Sequence, residues 1–405
     1  MKDANENQWN LEKLGNVCAL IKRGIAPKYL ESGGVQVINQ KCIRNHQIDY
    51  GLARRNDPKI KRVPPERLIQ VGDVLVNSTG TGTLGRVAQV REQPPEPTTV
   101  DTHVTIVRPA RGRFFPEFFG YMMIAIEDEL IAGGHGTSGQ TELPRTDLER
   151  KYSVRFPTSL EEQQRIVAVL DEALEGLACA RAHAEANLQN AREFFDNALL
   201  VMMAEIDQES PRLSLSDAAR DFGRGRSRHR PRNAPFLYGG PYPFIQTGDI
   251  RNASGRLTEF SQTYSDEGLS QSKLWPAGTV CITIAANIAE TAVMSFEGCF
   301  PDSVIGMVPD HQVTFPEYVE YMLRFFAADL KAQGKGSAQD NINLATFEKA
   351  TFPFPPIDRQ RKIVSKLDGL WSSSSDLVTA YSNKIAYIDD LRQSLLQKAF
   401  AGELT

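Results

Sequence analysis

Two segments of this chain have similar amino-acid sequences. The first is FPEFFGYMM, at 115–123, and the second is FPEYVEYML, at 315–323. Further pairs of similar segments follow in the same order, and the distance between partners changes only from 207 residues (Gly34 to Pro241) to 197 residues (Glu161 to Asp358). Solenoid repeats recur every ~20–50 residues. The much wider spacing predicts that one domain architecture is used twice.

The composition of the 405 residues is that of an ordinary globular protein, with 41% hydrophobic and 24% charged residues. This length predicts two or three domains of about 100–200 residues each. No apolar run reaches the ~18 residues of a membrane helix, and the first residues lack signal-peptide features. We therefore expect a cytoplasmic location and no membrane partner. The five cysteines and six histidines lack the spacing of metal sites, so no metal ligand is expected.

The net charge of −4 conceals an uneven distribution of charge along the chain. Between Lys22 and Arg62 there are ten basic and three acidic residues, and between Arg220 and Arg256 there are eight and two. Both basic segments fall in the same part of the repeat. The segment 161–209 has eleven acidic residues and three arginines. This pattern predicts two basic poles, suited to nucleic acid, and an acidic connector.

Each repeat begins with short β-rich segments and continues into a helix that starts at Pro116 or Pro316 and is expected to pack on the sheet. Apolar residues then recur in steps of three and four, which predicts a coiled-coil seam in matched register. The seam residues are Ile166, Leu170, Ala173, Leu177, Ala180, Ala184, Asn187, Ala191, Phe194 and Ala198, and then Ile363, Leu367, Leu370, Ser374, Leu377, Tyr381, Lys384, Ile388, Leu391 and Leu395.

The predicted fold is therefore α+β, with two similar globular domains joined by two long antiparallel coiled-coil helices and related by a pseudo-twofold internal repeat. The predicted boundaries are 1–158 for the first domain, 159–208 for the first helix, 209–355 for the second domain and 356–405 for the second helix. A helix of about 40 residues makes a spacer of roughly 60 Å. Asn187 and Lys384, at equivalent seam positions, either fix the register or lie at a wet edge.

Two types of loop are candidates for contact with DNA. One is the segment 220–232, in which six arginines alternate with glycines and a proline and can follow a phosphate backbone. The others are polar glycine-rich loops, whose hydroxyl and amide groups can contact phosphates or base edges. The predicted DNA-binding residues are Arg54, Arg55, Lys61, Ser78, Thr79, Thr81, Arg86, His135, Thr137, Ser138 and Gln140 in the first repeat, and Arg224, Arg226, Arg228, Arg230, Gln246, Asn287, Lys335, Ser337, Gln339 and Asn341 in the second.

An enzymatic alternative rests on the segment from Gly80 to Gly85, which has the GxGxxG pattern of a nucleotide-cofactor loop. Such a loop must open a helix, yet the residues from Arg86 to Arg91 have the pattern of a strand. The second repeat has no glycine at the equivalent place, and no phosphate-binding GxxxxGK[ST] or GxSxG nucleophile motif is present. We therefore expect no catalytic residue and no cofactor on this chain.

The chain resembles, over essentially its whole length, the specificity subunit of type I restriction-modification systems. The resemblance is carried by the duplicated order of segments, by Phe354-Pro-Phe-Pro-Pro-Ile-Asp-Arg-Gln-Arg-Lys-Ile-Val, by the C-terminal Leu395-Leu-Gln-Lys-Ala-Phe-Ala-Gly-Glu-Leu404 and by Val71-Gly-Asp-Val-Leu-Val-Asn. The first repeat departs from the pattern, with Phe156-Pro-Thr-Ser-Leu where the family has a double proline. The second departs from it at Ala285-Ala-Asn-Ile, which has no glycine.

The resemblance implies that each domain reads one half of a split site in double-stranded DNA and that the helices set the unread gap. It also implies two methyltransferase subunits carrying S-adenosylmethionine, and translocase-nuclease subunits using ATP and magnesium. Apolar residues near the helix ends are expected to be exposed for partner binding: Phe194, Phe195, Leu395, Leu396 and Phe400. A stand-alone DNA-binding regulator built on the same plan remains the alternative.

Overall fold

The computed structural model describes residues 9–135, 141–229, 231–285, 288–334 and 344–404. The chain divides into two compact units. The first unit comprises Met1–Glu185 and Asn383–Thr405, and the second comprises Ala186–Ser382. Each unit therefore combines one globular domain with a segment of each long helix, whereas the sequence predicted boundaries between domains and helices.

The elements of the first domain alternate between short strands and turns before three helices follow. They are β1 (Trp9–Lys13), α1 (Leu14–Val17), β2 (Cys18–Arg23), β3 (Tyr29–Leu30), β4 (Val35–Ile38), β5 (Ile43–Arg44), β6 (Gln47–Ile48), β7 (Arg54–Asn56), β8 (Val74–Asn77), β9 (Val87–Gln89), β10 (Thr98–Val100), β11 (Val104–Pro109), α2 (Pro116–Ala125), α3 (Glu127–Ala132), α4 (Arg145–Arg150) and β12 (Ser153–Pro157). The first long helix, α5 (Leu160–Glu209), continues into the second unit.

The second domain has the same order of central strands and following helices. Its elements are β13 (Arg212–Ser214), β14 (Ala219–Arg224), β15 (Tyr238–Phe244), α6 (Thr247–Asn252), β16 (Gly255–Leu257), β17 (Gln262–Tyr264), α7 (Asp266–Ser270), β18 (Val280–Thr283), β19 (Thr291–Met294), β20 (Val304–Pro309), α8 (Pro316–Phe325), α9 (Ala327–Gly334), α10 (Leu344–Lys349) and β21 (Thr351–Pro353). The second long helix is α11 (Ile357–Ala401).

The central sheets of the two domains match strand for strand. The first has the order β2-β11-β8-β9, and the second has the order β14-β20-β18-β19 with β16 added in parallel to β19. In each domain the first and last strands also pair with each other, β1 with β12 and β13 with β21. The predicted internal repeat and α+β fold are confirmed.

Each central sheet separates two hydrophobic cores. In β8, Val74 and Val76 pack with the core of α2, whereas Leu75 between them packs with the core on the other face. In β18, Val280 and Ile282 pack with the core of α8, and Cys281 packs with the opposite core. This alternation follows from the two-residue period of a strand. Successive residues of each strand therefore pack into two different cores. One is the helix-side core, which contains α2 or α8, and the other is the outer core on the opposite face of the sheet.

The helices predicted from the repeated phrase form as expected. Proline is the first helical residue of both α2 and α8, where its missing N–H costs no hydrogen bond. Phe118 and Met122 of α2 are buried in the helix-side core, and Val319 and Met322 of α8 are buried in the equivalent core. These helices therefore hold each sheet against the long helices.

The long helices run antiparallel within each unit. In the first unit, Leu170 of α5 shares a core with Leu396 of α11, and Arg181 further along α5 pairs with Asp389, which precedes Leu396. In the second unit, the Ser374 hydroxyl donates to the carbonyl oxygen of Ala191 at 2.6 Å. Arg359, earlier in α11, pairs with Glu209, later in α5, at 2.8 Å. The predicted antiparallel pairing is confirmed in both units.

The predicted heptad register is wrong in the second half of α5. Of the predicted seam residues, Ala184 and Ala191 are buried but Asn187 and Phe194 are exposed, and the buried series continues through Phe195, Leu199, Met203 and Ile206. These buried residues advance 22 residues over six turns, close to the 3.6-residue period of a straight helix and away from the 3.5-residue period of a left-handed coiled coil.

The same drift occurs in α11, where Leu377, Lys384 and Leu391 are exposed and the residues that follow them, Val378, Ile385 and Arg392, are half-buried. Asn187 and Lys384 therefore lie at a wet edge, as one of the two interpretations held, and neither fixes the register from inside a seam.

A buried glutamine joins the start of each long helix to its own domain. Gln163 of α5 donates to the carbonyl oxygens of Pro157 (2.9 Å) and Arg113 (3.3 Å), and its side-chain oxygen accepts from the Phe115 N–H at 2.8 Å. Its amide thus bonds the residues that precede both α2 and α5. The sequence showed a glutamine shared by both repeats but no role for it.

Gln360 of α11 makes the equivalent contacts in the second unit. It donates to the carbonyl oxygens of Val313 (2.9 Å) and Pro355 (2.8 Å), and it accepts from the Thr314 hydroxyl at 2.8 Å. Both glutamines are completely buried. The duplicated geometry indicates that these side chains seat the helix on the domain.

We expect Gln360→Ala to destabilise the chain by about 1–3 kcal/mol, because the change leaves buried carbonyl groups without a donor. The measurement is the urea midpoint of unfolding, with Gln397→Ala, an exposed glutamine of the same helix, as the control. Equal midpoints for the two variants would contradict the structural role of Gln360.

Glu320 of α8 is buried without an ion pair within the described structure. The residue is 6% exposed, and its carboxyl oxygen accepts a long hydrogen bond from the Thr291 hydroxyl at 3.5 Å. Burial raises the pKa of this carboxyl to about 7, and the charges of Arg324 and Arg256 oppose the rise. As the pH rises, the unfolded chain, with a carboxyl pKa near 4.5, therefore loses this proton at a lower pH than the folded state does.

The raised pKa predicts that this site loses stability as the pH rises from about 4.5 to 7, because the buried carboxyl must then ionise. Glu320→Gln should match the parent chain at pH 5 and melt several degrees higher at pH 8, since no more than about 3 kcal/mol is involved. Glu317→Gln, on the same helix with a partly exposed side chain, is the control for thermal melting. A difference between parent and Glu320→Gln that is the same at both pH values would refute the assignment.

Candidate nucleic-acid interface

Three loops of the first domain meet where β8 ends. The Ser78 N–H donates to the carbonyl oxygen of His103 at 2.8 Å, and the Leu143 N–H donates to the carbonyl oxygen of Ser78 at 2.8 Å. Thr79 forms a bridge with Glu142, which itself bridges His135. The hairpin after β8, the turn before β11 and the loop after α3 therefore form one continuous edge.

An arginine that the sequence analysis did not single out lies at this edge. Arg23 is the last residue of β2, and it pairs with Glu142 at 2.7 Å and donates to the carbonyl oxygen of Leu143 at 3.1 Å. Its side chain is 28% exposed. Arg23 therefore lies where the loops meet, with its charge partly offset by Glu142.

Arg224, the last residue of β14, occupies the equivalent position in the second domain. A glycine follows in both cases, and the N–H groups of Gly24 and Gly225 donate to Val104 and Val304 at 3.0 and 2.9 Å. A Cβ atom at Gly24 would lie 1.9 Å from a carbonyl oxygen, and one at Gly225 would lie 2.2 Å from one.

A residue with a Cβ atom therefore cannot replace either glycine unless the backbone shifts. Arg23-Gly24 and Arg224-Gly225, 201 residues apart, were the signal in the sequence that could have identified Arg23.

The predicted basic residues of the first domain fall into two groups. Arg54 and Lys61 are exposed, and the Arg54 guanidinium lies over the Tyr29 ring at 3.2 Å. Arg55 instead forms a two-pronged pair with Glu96, at 2.7 and 2.9 Å, so its charge is already compensated. Arg54 and Lys61 remain the residues of this segment suited to a phosphate.

Asp101 lies close to the same edge, with its carboxylate accepting from the His103 N–H at 2.9 Å and from the His103 ring at 3.1 Å. Burial raises the pKa of Asp101, while the bonds from His103 and the charge of Arg54 oppose the rise. His103 is thereby held on the edge with about half of its side chain exposed.

Several predicted hydroxyl contacts are corrected by the structure. Ser78 is completely buried, and its hydroxyl bonds to that of Thr105 at 2.5 Å. The Thr79 hydroxyl is also buried and has no hydrogen-bond partner among the described residues, so neither group is presented to a ligand. Thr81 is exposed, as predicted for a hairpin tip.

Two other predicted residues at this edge have partners of their own. Arg86 is half-buried and donates to the carbonyl oxygen of Gly82 at 2.7 Å. His135 is 62% exposed and lies near Asp147 (3.2 Å) and Lys151 (3.0 Å). His135 therefore has an accessible ring, whereas the Arg86 side chain is bonded to the backbone of its own turn.

The glycine-rich hairpin does not have the structure of a cofactor loop. The residues after Gly85 enter the strand β9 and not a helix, so no helix N-terminus is available for phosphate. Gly85 has a φ of +81° and donates to the carbonyl oxygen of Asn77 at 2.8 Å. In the second domain Ala289 adopts a φ of +59°, and its N–H donates to the carbonyl oxygen of Thr283 at 2.9 Å. The bend is therefore kept without glycine, at a strain of about 1–2 kcal/mol.

The arginine-rich segment of the second domain leaves β14 as an irregular loop, as predicted. Arg224, Arg226 and Arg228 are exposed. The backbone of the segment is held in place, because Arg226 N–H donates to the carbonyl oxygen of Phe300 at 3.1 Å and Arg228 N–H donates to the Gln271 side chain at 2.5 Å. The loop thus presents several cations from a fixed backbone.

Gln246 has a structural role at the start of α6. Its side chain and that of Asp249 form a reciprocal capping box, and its amide nitrogen also donates to Gln262 at 2.6 Å. Its hydrogen-bonding groups are therefore engaged within the domain. The remaining predicted contacts lie outside the described residues: Thr137, Ser138, Gln140, Arg230, Asn287, Lys335, Ser337, Gln339 and Asn341.

The expectation that the five apolar residues near the helix ends are exposed is wrong for Phe195 and Leu396, which are buried. Phe195 is 1% exposed, because it packs against Trp371 with ring centroids 4.9 Å apart. Leu396 is buried in the first unit's core, and Phe400 packs on Phe118 at 5.2 Å. Leu395 is half-buried, and Phe194 is 44% exposed. Phe194 is the member of this set most accessible to a partner.

Two features are absent from the described residues. No helix in these ranges is long and apolar enough to span a membrane. Nor do these residues contain a cluster of three or more metal-ligating side chains.

A family model described as the type I restriction modification DNA specificity domain matches residues 220–387. The specificity subunit of the type I restriction enzyme EcoBI from Escherichia coli is 29% identical over 105 residues, which is 25% of this chain and 22% of the relative. That of EcoKI from Escherichia coli (strain K12) is 30% identical over 96 residues, covering 22% and 20%. The matched segment thus spans about a fifth of the length of these curated relatives.

Two solved structures share the fold along nearly the whole chain. One belongs to work on complex assembly and conformational transition of the type I R-M system, with 20% identity, 98% coverage of both chains and a TM-score of 0.77. The other is the HsdS subunit from Thermoanaerobacter tengcongensis, with 22% identity, coverage of 98% and 97% and a TM-score of 0.63. Residues 220–387 are therefore similar to the type I restriction modification DNA specificity domain, and the chain as a whole shares the fold of the HsdS subunit.

Proposed function

We propose that the chain recognises a bipartite site in double-stranded DNA, with each domain reading one half. The observation that carries this proposal is the duplicated Arg-Gly corner, which places Arg23 and Arg224 at the same edge of equivalent sheets. Duplicated frames with different side chains suit a protein that reads two different half-sites.

The arginines and the polar loops have different tasks in this proposal. Exposed cations such as Arg54, Arg224 and Arg226 contact phosphates and supply affinity that depends on salt. Polar side chains of the adjoining loops discriminate between bases, at about 1–3 kcal/mol for each good contact. The overall charge of −4 limits the affinity of the chain alone, so we expect its partners to contribute to binding.

The long helices supply the spacer and the docking surface. We propose that they set the unread gap and bind two adenine methyltransferase subunits, with Phe194 as one contact. The methyltransferase subunits would hold S-adenosylmethionine, and translocase-nuclease subunits would use ATP and magnesium. The chain itself would recognise DNA and perform no chemistry, in the cytoplasm.

Two alternatives predict different behaviour of the isolated chain. A stand-alone regulator would bind its site tightly without partners. A cofactor enzyme would bind S-adenosylmethionine or a dinucleotide by calorimetry, although the hairpin from Gly80 to Gly85 lacks the helix that such a loop requires.

The proposal is tested by co-expressing the chain with a neighbouring methyltransferase subunit and mapping methylated adenines in the host DNA by single-molecule sequencing. We expect one split motif with an unread gap and a methylated adenine in each half. No new methylation from a stable complex loaded with S-adenosylmethionine would favour the stand-alone regulator.

Replacing Arg224, Arg226 and Arg228 by alanine should weaken DNA binding by the complex. The slope of log K against log salt should fall by up to about 2.7, if each arginine neutralises one phosphate at about 0.9. The measurement is a binding titration across salt concentrations. Arg220→Ala is the matched control, because Arg220 lies near the opposite end of β14 and faces Asp310 at 3.7 Å. A slope unchanged by the triple substitution would remove this loop from the interface.

A further inference from the structure

A tyrosine–aspartate contact joins each domain to the long helix that follows it. In the first unit the Tyr121 hydroxyl of α2 donates to the carboxylate of Asp171 on α5. In the second unit the Tyr321 hydroxyl of α8 donates to the carboxylate of Asp368 on α11 at 2.7 Å. Both tyrosines belong to the phrase that is repeated in the sequence, and both aspartates belong to the repeated helix start.

The two pairs are surrounded by different residues. The Arg91 guanidinium, beyond the end of β9, lies 5.0 Å from the Tyr121 ring centre and 3.9 Å from Asp171. In the second unit the nearby arginine is Arg256 of β16, which lies 3.1 Å from Asp368. The tyrosine–aspartate pair is thus common to both units, whereas the arginine beside it comes from unrelated parts of the two domains.

Contacts with the other long helix are also different in the two units. In the first, Arg392 of α11 contacts the His46 ring at 2.6 Å. In the second, Arg324 of α8 pairs with Asp196 of α5 at 3.1 Å. Among the described residues, the polar contacts that recur in both units are therefore the buried glutamine and the tyrosine–aspartate pair. They add to the apolar packing of residues such as Leu170 and Leu367.

These two shared contacts lie on the same helix, eight residues apart. Asp171 follows Gln163, and Asp368 follows Gln360, at a separation of about 12 Å along the helix axis. One attachment in the first turn would let the helix pivot about that point. A second attachment about two turns further along removes the pivot and defines the direction of the helix relative to its domain.

The chemistry of the pair suits a fixed connection. Tyr121 is 5% exposed and Tyr321 is 7% exposed. Burial raises the pKa of both tyrosine hydroxyls, so each remains a hydrogen-bond donor at neutral pH. The aspartates are about half exposed and remain accessible to water on their other side. The bond is therefore directional and does not require a buried ion pair.

We propose that Tyr121–Asp171 and Tyr321–Asp368 are positioning pairs that fix the direction of each domain on its helix and thereby restrict the gap length accepted between half-sites. This inference rests on the proposed reading of a bipartite site. These residues touch neither DNA nor a reacting group in the proposal. They act by limiting how far each domain can turn.

The test uses the full chain in complex with its methyltransferase subunits and DNA that carries both half-sites at the natural gap or at gaps one base pair shorter or longer. Tyr321→Phe removes only the hydroxyl. We expect methylation at the altered gaps, relative to the natural gap, to rise about tenfold, which corresponds to a hydrogen bond of ordinary strength. The sequences of the two half-sites should stay the same.

Tyr318→Phe is the matched control. Tyr318 lies one turn earlier on α8, is fully buried, and donates to the carbonyl oxygen of Pro353 at 2.8 Å, within the same domain. This variant should lose a comparable hydrogen bond without changing the gap preference. Tyr121→Phe should reproduce the effect of Tyr321→Phe from the other unit.

The outcomes separate the inference from the proposed function. A gap ratio that is unchanged in both Tyr121→Phe and Tyr321→Phe would overturn the inference, as would an equal fall in methylation at every gap. The proposed function would still stand in both cases, because the parent complex would show its split motif. Absence of any split motif with the parent complex would instead overturn the proposed function, and the inference with it.

Discussion

Seating of the long helices on the domains depends on a buried amide. Gln163 and Gln360 each bond the residues that lead into the domain helix and those that lead into the long helix. Because their groups are completely buried, unpaired amides would be costly, and the helix start is held where the carbonyl oxygens lie. The position of the helix start and the packing of its first turns against the domain follow from this connection.

The duplicated architecture could be predicted from the sequence because similar segments occur in the same order in both halves of the chain. The sheets, the domain helices and the antiparallel pair were all found as expected. The heptad register was not, because steps of three and four residues fit periods of 3.5 and 3.6 almost equally well over a few turns. The burial of Phe195 beside exposed Phe194, continued by buried Leu199, Met203 and Ile206, distinguishes them.

The candidate interface was harder to predict than the fold. The basic segments can be located from the sequence, but whether each side chain is free to bind depends on partners that are distant in the sequence. Ser78 is buried by Thr105, and Arg55 is paired with Glu96, 41 residues away. Arg23 was missed because a single arginine in a strand carries no signal until its counterpart Arg224 is aligned with it.

The partition of each domain by its central sheet has a consequence for how such proteins diversify. On the helix side, both domains use the same arrangement of α2 or α8 against the sheet. On the outer side, the first domain adds the strands β10-β4-β7-β3, whereas the second adds α6 and β16 around Trp275. Since neighbouring residues of one strand face opposite cores, an outer layer can be rebuilt through alternate positions alone. Evolution can therefore remodel what a domain recognises while the surface that carries it stays constant.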